Sequence, residues 1–87
     1  MGDIYKAISD PIRRDILDLS KEKDLTVNEI VNNFNISQPS ISNHLTILKN
    51  AGLITSEKSG KYIYYSLNTT VLTESFKWFL SLIKLEG

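Results

Sequence analysis

Ser37-Gln38-Pro39-Ser40-Ile41-Ser42-Asn43-His44-Leu45-Thr46-Ile47-Leu48-Lys49-Asn50-Ala51-Gly52-Leu53 is a helix whose two ends are both marked in the chain. Ser37 is an N-cap residue whose hydroxyl can accept a backbone N–H one turn on, and Pro39 in the first turn gives up only an amide without an intrahelical partner. At the far end Gly52 suits the left-handed position after the helix, and Leu53 can fold back on Leu48 as in a Schellman motif. Ile41, Leu45 and Leu48 recur at i, i+4, i+7 and define a buried stripe. Gln38, Ser40, Ser42, Asn43, Thr46, Lys49 and Asn50 are left facing outward, with one charge among them.

A solvated helix face ordinarily favours Glu, Lys and Arg, whereas Ser, Thr and Asn are weak helix formers that compete for the backbone. Helicity alone does not select this face. Gln and Asn can contact adenine bidentately, Ser and Thr can serve phosphates or bases, and the Thr methyl can touch a thymine methyl, so the face fits the major groove of DNA.

Working back toward the N-terminus, Thr26-Val27-Asn28-Glu29 is a capping box opening a helix with Val27, Ile30, Val31 and Phe34 on one face, and Asn35 as a left-handed C-cap. Only Asn35, Ile36 and Ser37 then separate it from the next helix, the connection length of a helix-turn-helix unit. Asp10-Pro11 is an N-cap with proline at the first helical position, and Ile12, Ile16, Leu17 and Leu19 carry that helix to about Ser20. Lys21 to Asp24 is a charged loop, and Ile4, Tyr5 and Ile8 mark a short first helix.

Beyond Gly52 the period becomes alternating. Ile54 to Lys58 and Lys61 to Leu67 flank Ser59-Gly60, which predicts a β-hairpin with a two-residue loop. Ile63, Tyr65 and Leu67 share the face expected to join the core, while Tyr62 and Tyr64 point away with Lys58 and Lys61 at the tip. Beside a helix-turn-helix, such a basic hairpin is placed to touch phosphates or the minor groove. The last helix, from about Thr70 to Leu85, carries two apolar stripes: Leu72, Phe76, Phe79, Leu80 and Ile83, and Val71, Trp78, Leu82 and Leu85. One stripe suffices for a monomer, so the surplus predicts a homodimer formed by the first and last helices, with Ile4, Tyr5, Ile8, Leu72, Phe76, Phe79, Leu80 and Ile83 at its seam.

Eighty-seven residues make one domain, 1–87, near the lower limit for an adequate core, which favours help from a partner subunit. Without cysteine there is no disulfide framework and no thiolate site, and one histidine cannot build a metal cluster alone. No apolar run approaches the roughly 18 residues of a membrane span, and the N-terminus lacks the pattern of a signal peptide, so the reading is cytoplasmic with no membrane insertion. Net charge is zero, but its distribution is uneven. Residues 1–34 hold five basic groups against seven acidic ones, whereas residues 35–66 hold Lys49, Lys58 and Lys61 against Glu57 alone. The positive excess therefore lies on the segment expected to meet nucleic acid.

In Ala7-Ile8-Ser9-Asp10-Pro11-Ile12-Arg13-Arg14, in Ser37 to Leu53 and in Gly60-Lys61-Tyr62-Ile63-Tyr64-Tyr65-Ser66-Leu67, the chain resembles the ArsR/SmtB-type winged helix-turn-helix repressors, and is most similar to their SdpR-like autorepressor branch. The resemblance covers nearly the whole chain. It implies a mainly α fold with a small β-hairpin, in the order four helices, two strands, one helix, and a homodimer on an inverted-repeat operator of double-stranded DNA. Ser37, Gln38, Pro39, Ser40, Ser42, Asn43, His44, Thr46, Lys49, Lys58 and Lys61 form the expected DNA-binding set, with His44 either packed or touching phosphate.

Departures from that family narrow the expectation. Where metal-sensing members carry Cys-x-Cys, this chain has Thr26 and Asn28, and residues 70–85 offer Glu74 but no histidine. No metal or other cofactor is expected. Control is left to a sequestering partner protein, to concentration, or to a small molecule in the dimer interface. Catalysis finds no support: there is no phosphate loop and no cysteine nucleophile, and His44 has no carboxylate on its helix face. The rival reading, a winged helix that binds protein and not DNA, fits poorly with a helix face lacking the Tyr, Trp, Met and Arg of protein interfaces.

Overall fold

The computed structural model describes residues 2–83. Helix α1 spans Gly2–Ile8, α2 Pro11–Ser20, α3 Val27–Val31, α4 Gln38–Asn50 and α5 Thr69–Ile83; strand β1 is Leu25–Thr26, β2 Ile54–Ser59 and β3 Tyr62–Leu67. Most boundaries are where local chemistry puts them. Asp10 caps α2 through Oδ1, which accepts from the backbone N–H of Ile12 at 2.8 Å and of Arg13 at 3.3 Å. Thr26 and Glu29 close the capping box, Thr26 Oγ1 accepting from Glu29 N–H at 3.2 Å and Glu29 Oε1 from Thr26 N–H at 2.9 Å. Asn68 caps α5, its Oδ1 accepting from Val71 N–H at 3.4 Å. Residue 85, expected near the end of that helix, lies outside the described residues.

Ala7, Ile16, Leu25, Ile30, Ile41, Leu45, Leu48, Leu53 and Ile54 form the core, with Ile4, Ile8, Ile12, Leu17, Leu19, Val27, Val31, Phe34, Val71 and Leu72 packed around it. One apolar side chain from nearly every element meets there, which is how a chain this short closes a single core.

Four expectations need correction. Helix α3 stops at Val31, and Asn35 is not a left-handed cap; six residues, not three, join α3 to α4. After Val31 the backbone tightens into i→i+3 bonds, Asn33 N–H to Ile30 O at 3.0 Å and Phe34 N–H to Val31 O at 3.0 Å, and Asn33 Nδ2 donates to Glu29 O at 2.9 Å. The hairpin is also part of a three-stranded antiparallel sheet of order β1-β3-β2, in which Leu25 pairs with Tyr65 and Thr26 with Tyr64. Finally, Ser59 pairs with Tyr62, so the loop is Gly60-Lys61, with Gly60 at φ +64° supplying the positive angle of a primed turn. Ile63 pairs with Lys58 near that tip and is 47 % exposed, beyond the reach of the core that its face was expected to join.

Candidate nucleic-acid interface

Helix α4 is held as its sequence demands. Ser37 Oγ accepts from Ser40 N–H at 3.4 Å, and Ile41, Leu45 and Leu48 are buried. At the other end Leu53 N–H donates to Leu48 O at 3.0 Å and Gly52 N–H to Lys49 O at 2.9 Å, with Gly52 at φ +78°, which is the complete Schellman pattern. The helix cannot roll without exposing that stripe. Gln38, Pro39, Ser40, Ser42, Asn43, Thr46, Lys49 and Asn50 accordingly all face solvent, as does Ser37. Thr46 Oγ1 donates to Ser42 O at 3.0 Å, which anchors the side chain to its own helix. Gln38 and Asn43 keep amides available for base edges.

The wing formed by β2 and β3 is tied to this helix. Lys49 Nζ donates to Ser56 Oγ on β2 at 2.7 Å, so a lysine expected to meet DNA also braces recognition helix against wing. Lys58 and Lys61 are exposed near the hairpin tip, with the Lys61 ammonium 5.6 Å from the centre of the Tyr62 ring. That cation–π contact stiffens a long side chain which would otherwise lose more freedom on meeting a phosphate.

His44 differs from its neighbours in being half-buried, and its Nδ1 lies 3.2 Å from Arg13 Nη1. Arg13 itself is 8 % exposed and donates from Nε to Ala7 O at 2.7 Å and from Nη2 to Lys6 O at 3.2 Å; Arg14 Nη1 donates to Ile8 O at 2.8 Å. Two cations thus satisfy the free carbonyls that end α1. From sequence both arginines enter only as basic groups of residues 1–34, with no structural role assigned to Arg13. Arg13 lies three residues before Ile16 and seven before Ser20, on the buried stripe of α2, and that spacing was the available signal. For Asp10, burial pushes the carboxyl up, but hydrogen bonds from Arg13 and Ile12 N–H and the Arg13 charge outweigh it and hold the group below the usual carboxylate range.

Ile4, Ile8, Leu72, Phe76 and Phe79 line an open apolar groove of about 370 Å³ between α1 and α5. The Tyr5 ring packs edge-on against Phe79 at 5.1 Å and tilted against Trp78 at 6.1 Å. Even so, Phe76, Phe79 and Ile83 of the first stripe and Trp78 and Leu82 of the second remain between 42 % and 63 % exposed, so α1 does not fully cover either stripe. Among the described residues no three His, Cys, Asp or Glu side chains are grouped to hold a metal ion, and no helix is long and apolar enough to cross a membrane.

Comparison with known proteins gives the same frame. Residues 10–56 match the family described as bacterial regulatory protein, arsR family. The chain is 57 % identical to the transcriptional repressor SdpR of Bacillus subtilis, over 95 % of this chain and 92 % of that one. It is 34 % identical to an arsenical resistance operon repressor of Staphylococcus aureus, over 85 % of this chain and 71 % of the relative. Among solved structures, an ArsR-like transcriptional regulator from Rhodococcus sp. RHA1 superposes with a TM-score of 0.89 at 25 % identity, covering 93 % of this chain and 74 % of that one. A possible transcriptional regulator for arsenical resistance gives 0.80 at 34 % identity, covering 88 % and 80 %. With its fold, its exposed α4 and these relatives in agreement, the chain belongs to the ArsR family, DNA-binding transcriptional repressors of winged helix-turn-helix fold that are not enzymes.

Proposed function

We propose that this chain acts in the cytoplasm as a sequence-specific repressor, a homodimer that binds an inverted-repeat operator in double-stranded DNA. Helix α4 enters the major groove with Gln38, Ser40, Ser42, Asn43 and Thr46 toward the bases, and the wing lays Lys58 and Lys61 on the backbone. The observation that carries this reading is the face of α4: fixed at both ends, fully exposed, rich in hydrogen-bonding groups and nearly free of charge. The apolar groove between α1 and α5 supports the dimer, because five large side chains left open on one helix are a patch that monomers of this size rarely carry. A two-fold axis through that patch would present two copies of α4 to two half-sites.

Selection of bound duplexes from a random pool tests the proposal. An enriched inverted repeat is expected, and a pool that stays random after repeated rounds would contradict it. Control by metal is not part of the reading, since the donor set expected of a sensor is missing from Thr26, Asn28 and the described part of α5. Micromolar zinc, nickel or arsenite should leave operator affinity unchanged. A tenfold fall reversed by chelator would reveal a site.

A further inference from the structure

Arg13 is buried without an ion-pair partner among the described residues; the carboxylates engaged in ion pairs there are those of Asp18 and Glu29. Its Nε and Nη2 are committed to the carbonyls of Ala7 and Lys6, and its Nη1 is directed at His44 Nδ1. A guanidinium has five donors and no acceptor, so Nδ1 must accept, and a neutral ring then carries its proton on Nε2. Nε2 has no hydrogen-bond partner among the described residues, yet it is not among the buried polar atoms lacking one, so it opens to solvent. It does so on the edge of α4 that also carries Ser40, one turn earlier and exposed.

We propose that Arg13 is a positioning residue for DNA binding, which holds His44 in the Nε2–H form so that the ring donates to a phosphate of the DNA backbone. This rests on the reading of α4 as the recognition helix. A phosphate is the partner that the surroundings fit: a single outward N–H offers a donor and nothing to discriminate bases, and the buried guanidinium behind it forms no ion pair among the described residues, the Asp10 carboxylate acting on it only at longer range. The same guanidinium grips the last turn of α1. Arg13 therefore links the helix proposed to lie at the dimer seam with the helix proposed to lie in the groove, and the phosphate contact sets the register between them.

Two substitutions at His44 separate this role from simple packing, because the amide of Asn reaches the place of Nδ1 and that of Gln the place of Nε2. Their binding to the selected repeat and to a scrambled duplex, and their thermal unfolding, are the measurements. His44→Asn keeps an acceptor for Arg13 and loses the outer donor. It should unfold near the wild-type temperature and bind both duplexes about tenfold more weakly. Its salt slope should not change, because no cation is removed.

His44→Gln should unfold earlier yet bind both duplexes more tightly than His44→Asn. Arg13→Met should also weaken binding, and adding His44→Asn to it should cost little more, since the two act through one contact. If Arg13→Met fails to fold, the His44 pair still decides, because both leave Arg13 in place. Nitrogen-15 spectra of the imidazole at about pH 8, where histidines are largely neutral, should show a bare Nδ1. A protonated Nδ1, wild-type DNA affinity in His44→Asn, or tighter binding by His44→Asn than by His44→Gln would overturn this inference alone. A wild-type chain that binds no duplex would overturn the recognition-helix reading, and this one with it.

Discussion

At the scale of single residues, what could be read from sequence was what acts locally. Ser37, Asp10, Thr26 and Gly52 cap or stop helices through bonds to residues within five positions, so composition and spacing alone locate them. Arg13 was missed because its partners are the end of another helix and a histidine 31 residues away. Asp10 also has a consequence for pH. Its carboxyl is held below the usual range in the folded chain, so its contribution to stability is present above the unfolded carboxylate value and is lost as pH falls through the lowered one. Asp10→Asn keeps a cap without the charge. Thermal unfolding from about pH 6 down to about pH 3 should show wild type above the variant at the upper end, with the gap closing toward the lower. A gap that widens with acid would contradict this account of the cap.

At the scale of elements, the helices α2 and α4 and the existence of the hairpin were legible, since each has its own period and its own ends. Strand β1 was not, because two residues carry no period and Leu25 and Thr26 are extended only through pairing with β3. The early end of α3 has a local cause instead, a competition between helix and Asn33 side-chain bonding to Glu29 O that propensity does not resolve. The candidate site was legible as a set of surface positions: of the residues expected at the DNA, all but His44 are exposed. The two parts of that set, helix and wing, should fail differently. Asn43→Ala should cost about 1–3 kcal/mol against the selected repeat and little against random duplex. Lys61→Ala should weaken both alike and lower the salt slope by roughly one unit for each phosphate that the lysine neutralises. Titrations of both variants against both duplexes at several salt concentrations decide it, and the opposite pattern would make the wing the reader.

At the scale of the whole molecule, nine side chains form the buried core while five large apolar side chains on α5 remain open. Sequence reading recognised the surplus as two stripes, but could not tell that Val71 and Leu72 turn into the core while Phe76, Leu82 and Ile83 stay outside. Phe76 is 63 % exposed in the single chain, so Phe76→Glu should leave the fold intact while placing an unpaired charge in the proposed dimer seam. Sedimentation should show a monomer, and circular dichroism an unchanged helical content. An unaltered dimer would remove Phe76 from the interface.

In the proposed mode of action a fixed, charge-poor face on α4, presented twice by a dimer, reads base sequence. Competition at one physiological salt concentration, between the selected inverted repeat and a scrambled duplex of equal length and composition, tests it most directly. Preference for the repeat by about a thousandfold or more is the expected result. Equal affinity for the two duplexes would contradict it, leaving only backbone contacts.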